Sequence, residues 1–309
     1  MKILITGVHG FVGSNLVKAL SKDHTIYGLD IISPMKDGVR FTFSWDFLDK
    51  PNEIPEVDAI IHLAGKAHDT KNKTVSDVYF KVNTGLTQKI YDYFLKSKAK
   101  KFIFFSTAKA AADKVDGILT EDVIPTPVGP YGESKIAAEK YIQEHLTDEK
   151  QVYILRPCMI HGPGNKGNLN LLYNVVKKGI PWPLGAFENR RTFTSIDNLC
   201  FVINGLLTKD VPTGIYNMGD DEALSTNELI EEICKSLGKK AHIWKLPKGL
   251  MNGVASIGGA LHLPLDSERL RKLTENYISS NAKIKKALGV EKMPVDARKG
   301  LKVTLESFK

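Results

Sequence analysis

The sequence predicts an α/β protein: a doubly wound, mostly parallel sheet with a smaller C-terminal substrate-binding region. Three observations carry this. Short, wholly apolar runs alternate with amphipathic helical stretches through the first half. The first run ends in a glycine turn, Gly7-Val8-His9-Gly10-Phe11-Val12-Gly13, which opens a helix. The second run ends in an acid, Asp30, 23 residues after Gly7.

Taken in order, Lys2 to Thr6 is a strand and Phe11 to Leu20 a helix. His24 to Asp30 is a second strand, followed by an irregular stretch. Ala59 to Leu63 is a buried strand, Val75 to Lys98 is largely helical, and Lys101 to Ser106 is a strand. A helix over 131–146 and a strand from Gln151 to Leu155 complete repeated βαβ units. After Arg156-Pro157, glycine, proline and asparagine dominate 161–170 and 179–191. Helices are expected near 196–208 and 225–237, with a strand near 214–218. We divide the chain into a cofactor-binding domain, 1–160, and a region mainly for substrate, 161–309. Segments near 190–218 are expected to return to the sheet.

The 309 residues suffice for a sizeable core. The formal charge of +8 is spread over many lysines. Pairs such as Lys239-Lys240 and Lys285-Lys286 are too short for a nucleic-acid arm; the mild basic excess fits a small anionic ligand as well as a polyanion, and equally serves solubility alone. Cys158, Cys200 and Cys234 have no metal or redox spacing and read as buried apolar residues of a reducing compartment. No metal site, leader segment or membrane span is expected, and the setting expected is cytoplasmic. The least polar run, Leu250 to Leu265, is broken by Asn252, Gly253, Gly258, Gly259, His262 and Pro264. It reads as a partly helical segment packed on the core.

The glycines of the first turn permit close approach to a pyrophosphate, and the following helix offers free N–H groups. This is the Rossmann-type arrangement, although the spacing is not the commoner G-x-G-x-x-G. Asp30 stands where an acid would bind the ribose hydroxyls of NAD and repel the 2′-phosphate of NADP. Farther on, Pro130-Tyr131-Gly132-Glu133-Ser134-Lys135 opens a helix and puts Tyr131 and Lys135 on one face. An ammonium there would lower the phenol's pKa and suit it to exchange a proton with an alcohol. Alone, such a pair is common on solvated helices; the glycine turn in the same chain makes it a candidate catalytic centre.

With Gly7-x-x-Gly10-x-x-Gly13 and Tyr131-x-x-x-Lys135 together, the chain resembles the extended short-chain dehydrogenase/reductases. Within them it is similar to the NAD-dependent epimerase/dehydratase family acting on nucleotide sugars. Further matching segments are His62-Leu63-Ala64-Gly65, Asn83-Thr84-Gly85, Phe105-Ser106-Thr107, Arg156-Pro157-x-x-Ile160-His161-Gly162-Pro163-Gly164, Arg191-Thr192-Phe193 and Tyr216-Asn217-Met218-Gly219. The resemblance implies Thr107, Tyr131 and Lys135 as catalytic residues. For NAD it implies Gly7, Gly10, Phe11, Val12, Gly13, Asp30, Asp46, Phe47, Leu63, Ala64, Gly65, Asn83, Tyr131, Lys135 and Pro157, with Asp49 competing with Asp46. For substrate we expect Lys109, Asn165, Asn168 and Arg191, with Arg269 or Arg271 as a second cation; Asn165 and Asn168 could equally shape a turn. His9, His62 and His161 are expected to shape the backbone.

Two departures matter. Lys109-Ala110-Ala111-Ala112 replaces the Tyr-Gly that often follows the catalytic Ser/Thr. Thr107 is followed by Ala108-Lys109, not by the Asp-Glu pair of the 4,6-dehydratases, so water elimination lacks its acid and base. This ranks a dehydratase low, and the resemblance implies a UDP-sugar 4-epimerase acting through a 4-keto intermediate. A UDP-4-keto-sugar reductase of surface-polysaccharide synthesis and a non-catalytic dinucleotide sensor are the alternatives. The resemblance also implies a homodimer built on the helices near 83–97 and 131–146.

Overall fold

Each apolar run of the first half becomes a strand with a different set of side chains on either face. The computed structural model describes residues 1–32, 34–50, 53–66, 75–260 and 266–309, without the side chains of 258–260. In chain order, the first units are β1 (Lys2–Thr6), α1 (Phe11–Leu20), β2 (Thr25–Leu29), β3 (Val39–Phe43), a 3-10 turn (Trp45–Asp49) and β4 (Ala59–His62). Next come α2 (Ser76–Tyr79), a π turn (Phe80–Gly85), α3 (Leu86–Lys96), β5 (Lys101–Phe105), α4 (Ala108–Ala111), β6 (Ile118–Leu119), α5 (Pro130–Glu144) and β7 (Gln151–Pro157).

The second half holds β8 (Met159–His161), α6 (Asn168–Lys177), β9 (Phe193–Ser195), α7 (Ile196–Thr208), β10 (Gly214–Met218) and α8 (Thr226–Ser236). It ends with α9 (Lys248–Ala260), α10 (Ser267–Thr274), β11 (Ile278–Ser279), α11 (Ala282–Leu288) and α12 (Ala297–Glu306).

Among the described residues, seven strands form one parallel sheet in the order β3-β2-β1-β4-β5-β7-β10. The order reverses between β1 and β4, and that switch point opens a crevice at the strands' carboxyl ends. Both faces are buried, which is why the strands read as continuous apolar runs. Ile3, Ile5, Ile61, Ile103, Tyr153 and Leu155 face α1 and α7, packing with Leu16, Leu199, Ile203 and Leu206. Leu4, Ile60, Phe102, Phe104, Val152 and Ile154 face α3 and α5, packing with Ile90, Phe94, Ala138 and Ile142. A separate core in the second half gathers Leu169, Tyr173, Trp182, Leu184, Phe193, Ile233 and Leu301.

The structure corrects two expectations. The stretch after Asp30 is not wholly irregular: it contains β3, an edge strand whose Arg40 and Phe41 are exposed, which hid its period. Cys158 and Cys234 are buried, but Cys200 is only half-buried, on the outer part of α7. Helix α9 packs on the second-half core through Met251 and Ala255, as expected, while the rest of 248–257 is exposed. The remainder of the run expected to pack there, 261–265, lies outside the described residues.

Candidate active site

The glycine turn follows β1 directly. Gly7 has φ +69°, a left-handed conformation that favours glycine, and a Cβ there would lie 3.0 Å from the Ala64 nitrogen. A Cβ on Gly13 would lie 2.8 Å from the Val8 carbonyl oxygen, so α1 packs against the turn only through glycine. Gly10 is exposed at the rim. Phe11 and Val12 begin α1, whose N-terminus has neither a side-chain cap nor an acid in its first turn. Asp30 closes one side: its carboxylate accepts from the His9 N–H (3.0 Å) and the Ile31 N–H (2.8 Å). Lys36, which the sequence did not mark, donates to Ser14 Oγ (2.8 Å) nearby.

Asp46 is exposed in the 3-10 turn after β3, and Phe47 packs edge-on against Phe43 with ring centroids 5.2 Å apart. Its rival Asp49 is tied to Lys89 (2.8 Å). Leu63 and Ala64 leave β4 with their N–H groups on Thr6 Oγ1 at 3.2 and 3.0 Å. His62 bridges Thr6 and Thr87 at 2.7 and 2.9 Å. Burial, with a contribution from the Lys135 charge, holds His62 well below its ordinary pKa, so its ring is neutral and structural. His161 is likewise buried, hydrogen-bonded to Thr304 (2.8 Å).

Asn83 sits fully buried in the π turn. It accepts from the Lys66 N–H (2.7 Å) and donates to Ser134 Oγ (2.9 Å), which donates to the Tyr131 carbonyl (2.9 Å). It thereby pins the Gly65 segment to α5. A Cβ on Gly65 would lie 2.9 Å from Asn83 Oδ1 and 3.1 Å from Lys135 Nζ.

Helix α5 begins at Pro130, after Gly129 with φ +82°. Its spacing places Tyr131, Lys135 and Glu139 one turn apart on one face. Lys135 is buried and donates to the Phe105 carbonyl (2.8 Å). Burial lowers its pKa to about 8, against the opposing effect of Glu139. Tyr131 does not show the lowered pKa that its spacing from Lys135 suggests. Burial raises it, a hydrogen bond with the Thr107 side chain lowers it, and Tyr79, whose ring centroid lies 6.2 Å away, raises it further. The Lys135 ammonium is committed to a carbonyl, so burial decides the sign.

Thr107 caps α4, accepting from the Lys109 N–H (3.3 Å). The adjacent Ser106 instead hydrogen-bonds Glu139. Glu139 and Arg156 form a buried pair: Arg156 Nε lies 3.0 and 3.1 Å from the two carboxylate oxygens, and Nη2 lies 2.6 Å from one of them. The sequence analysis missed Glu139, although its position four after Lys135 was the available signal. Pro157 follows at the end of β7, opposite Met218 of β10.

The substrate candidates separate into groups. Lys109 Nζ lies 3.0 Å from Asp113 Oδ1 and 4.7 Å from the Tyr277 ring centroid. Arg271 reaches the same Asp113 (3.2 Å) and Glu275 (3.0 Å). Arg191 is largely buried and donates to the Lys272 carbonyl, and its backbone bridges to Leu224 and Tyr277. Burial lowers its pKa, and Glu275 opposes this. Cys158 borders the group, its thiol pushed up to about 12 by burial. Arg269 is exposed and ion-paired with Asp266 (3.5 Å), so Arg271 rather than Arg269 joins the cluster. Asn165 donates to the Ile160 carbonyl (3.0 Å) and accepts from the Gly167 N–H (2.6 Å), which matches the turn-shaping alternative. Asn168 is exposed at the first position of α6. Among the described residues, no cluster of His, Cys, Asp or Glu could hold a metal ion.

Residues 3–219 match the model of the NAD dependent epimerase/dehydratase family. The chain belongs to that family. Over 261 residues this family member is 33% identical to a UDP-glucose 4-epimerase of Vibrio cholerae, covering 79% of this chain and 78% of that protein. It is 28% identical over 298 residues to the N-acetyl-alpha-D-glucosaminyl-diphospho-ditrans,octacis-undecaprenol 4-epimerase of Escherichia coli O157:H7, covering 92% and 84% respectively. A UDP-glucuronic acid 4-epimerase from Bacillus cereus, solved with NAD, shares the fold with a TM-score of 0.77 at 22% identity, covering 100% and 98% of the two chains.

The residues present fit NAD. Gly7 and Gly13 form a cradle that any Cβ would fill, and α1 points uncapped N–H groups at it. Asp30 supplies an acceptor at the neighbouring strand end. His9 Nε2, buried in the turn, has no hydrogen-bond partner among the described residues.

Proposed function

We propose that this enzyme is a UDP-sugar 4-epimerase working through a 4-keto intermediate, with Thr107, Tyr131 and Lys135 as its catalytic residues. The observation that carries this reading is the Tyr131–Thr107 hydrogen bond with Lys135 buried one turn behind it. The Tyr131 phenol exchanges the proton of the sugar hydroxyl, and the Thr107 hydroxyl orients the same oxygen. Lys135, held at the Phe105 carbonyl, supplies positive charge that favours the phenolate as the proton moves. The glycine turn with Phe11 and Val12, Asp30, Asp46 and Phe47, Leu63 to Gly65, Asn83 and Pro157 would hold NAD, which when bound supplies a hydride acceptor and donor. Arg191, Lys109 and Arg271 are the cations for a UDP diphosphate, and Asn168 at the head of α6 remains a candidate for the nucleotide.

In this reading residues 1–160 serve chiefly the cofactor and 161–309 the sugar nucleotide. The protein works in the cytoplasm as a homodimer through α3 and α5. The V. cholerae relative, named a UDP-glucose 4-epimerase, supports the net reaction. Incubation with UDP-glucose, UDP-galactose and their N-acetyl forms, without added cofactor, tests it. Interconversion is expected; no interconversion together with NADH oxidation by a UDP-4-keto sugar would make the protein a reductase instead. Tyr131→Phe should lower turnover by about 10²- to 10⁴-fold while NAD still binds, and full activity in that variant would overturn the mechanism.

A further inference from the structure

We propose that helix α9 and the segment before it form a docking surface for an anionic lipid bilayer. The segment from Lys239 to Leu265 contains four lysines, Lys239, Lys240, Lys245 and Lys248, and no acidic residue. Within α9, Leu250, Val254 and Ile257 lie at i, i+4 and i+7, and they are 55%, 44% and 61% exposed. An adjacent side of the helix, carrying Met251 and Ala255, is seated on the second-half core. Across the helix from this stripe, Ser256 donates its hydroxyl to the Asn252 carbonyl (3.0 Å), beside the exposed Asn252 side chain.

Trp244, 53% exposed, stands just before the helix. Its backbone is fixed by pairing with Trp182 (2.8 Å), which makes it a rigid aromatic anchor. An apolar helical stripe with a neighbouring tryptophan and lysines is what an interfacial helix requires. The apolar side chains enter the headgroup boundary while the lysines meet anionic lipid. Lys239 donates to the Lys177 carbonyl (2.8 Å), but the charge of Lys240, Lys245 and Lys248 selects the occupant, because a neutral apolar partner gives no reason for three lysines without an acid. No helix among the described residues is long and apolar enough to cross a membrane, so the chain lies on the surface. Lys248 stands over the Phe187 ring at 5.7 Å, so docking would bring the loop leading to Arg191 close to the lipid headgroups.

The test is co-sedimentation of the full chain with vesicles of phosphatidylcholine, with and without phosphatidylglycerol, alongside tryptophan fluorescence. The expected result is binding to the anionic vesicles alone, weakened by salt, with a blue shift of the emission. Lys245→Gln with Lys248→Gln should weaken binding on the order of ten-fold or more. Leu250→Ser with Ile257→Ser, at exposed positions, should abolish the blue shift with thermal unfolding unchanged. The proposal is overturned if neither vesicle binds, or if both paired variants bind as the parent does. It is also overturned if the serine variant converts a lipid-free dimer to monomer, since a second copy would then be what covers the stripe.

Discussion

Lys135 carries a charge that burial opposes and Glu139 supports. The proposed mechanism needs Lys135 protonated, so kcat/KM should fall as pH rises through its pKa. Glu139→Gln removes the supporting charge, and the alkaline limb of the pH profile should move to lower pH. The same change strands Arg156, whose Nη1 already has no partner among the described residues. Breaking one side of a buried pair costs about 3–5 kcal/mol, measurable by urea unfolding. A variant of unchanged stability with an unchanged alkaline limb would remove Glu139 from the argument. At the cofactor end, Asp30→Ala should narrow the preference for NAD over NADP by about ten-fold, a difference of about 1.4 kcal/mol, read by titration of both cofactors. Equal affinities in the parent protein would refute the ribose role.

The elements differ in how strongly their own sequence specifies them. Helix α8 carries a capping box, with Ser225 accepting from the Glu228 N–H (3.0 Å) and the Glu228 carboxylate accepting from the Ser225 N–H (2.7 Å). Ser225→Ala should cost about 1 kcal/mol and lower Tm by a few degrees in a thermal melt. Such local signals explain what was legible. Runs such as Ile60-Ile61 and Phe102 to Phe105 announced central strands because both faces are covered. Strand β3 was missed because an edge strand with exposed Arg40 and Phe41 shows little period. In the site, Tyr131, Lys135 and the glycine turn were legible because local spacing defines them. The choice of Thr107 for the tyrosine rested on resemblance. The structure separates the two hydroxyls, with Ser106 turned to Glu139. The preference of Arg271 over Arg269 depends on α10 meeting Asp113, 158 residues away in sequence, which no local pattern encodes.

At the scale of the whole molecule, the proposed division of labour between the two halves is not a division of folding. Helix α7 supplies Leu199, Val202, Ile203 and Leu206 to the core behind β1, and β10 pairs with β7. A fragment of residues 1–160 would expose the part of one sheet face that α7 covers, together with the edge of β7. It should be aggregated or only partly folded by circular dichroism, whereas the full chain unfolds cooperatively. A soluble, NAD-binding fragment would contradict this. The position of β10 also bears on biogenesis. A ribosome must synthesise the β8–β9 excursion and emit residue 218 before the last parallel edge can zip into place. Until then the nascent sheet presents β7 as an open template. The interval is one of vulnerability to mispairing, and its length is set by translation speed rather than by the stability of the finished enzyme.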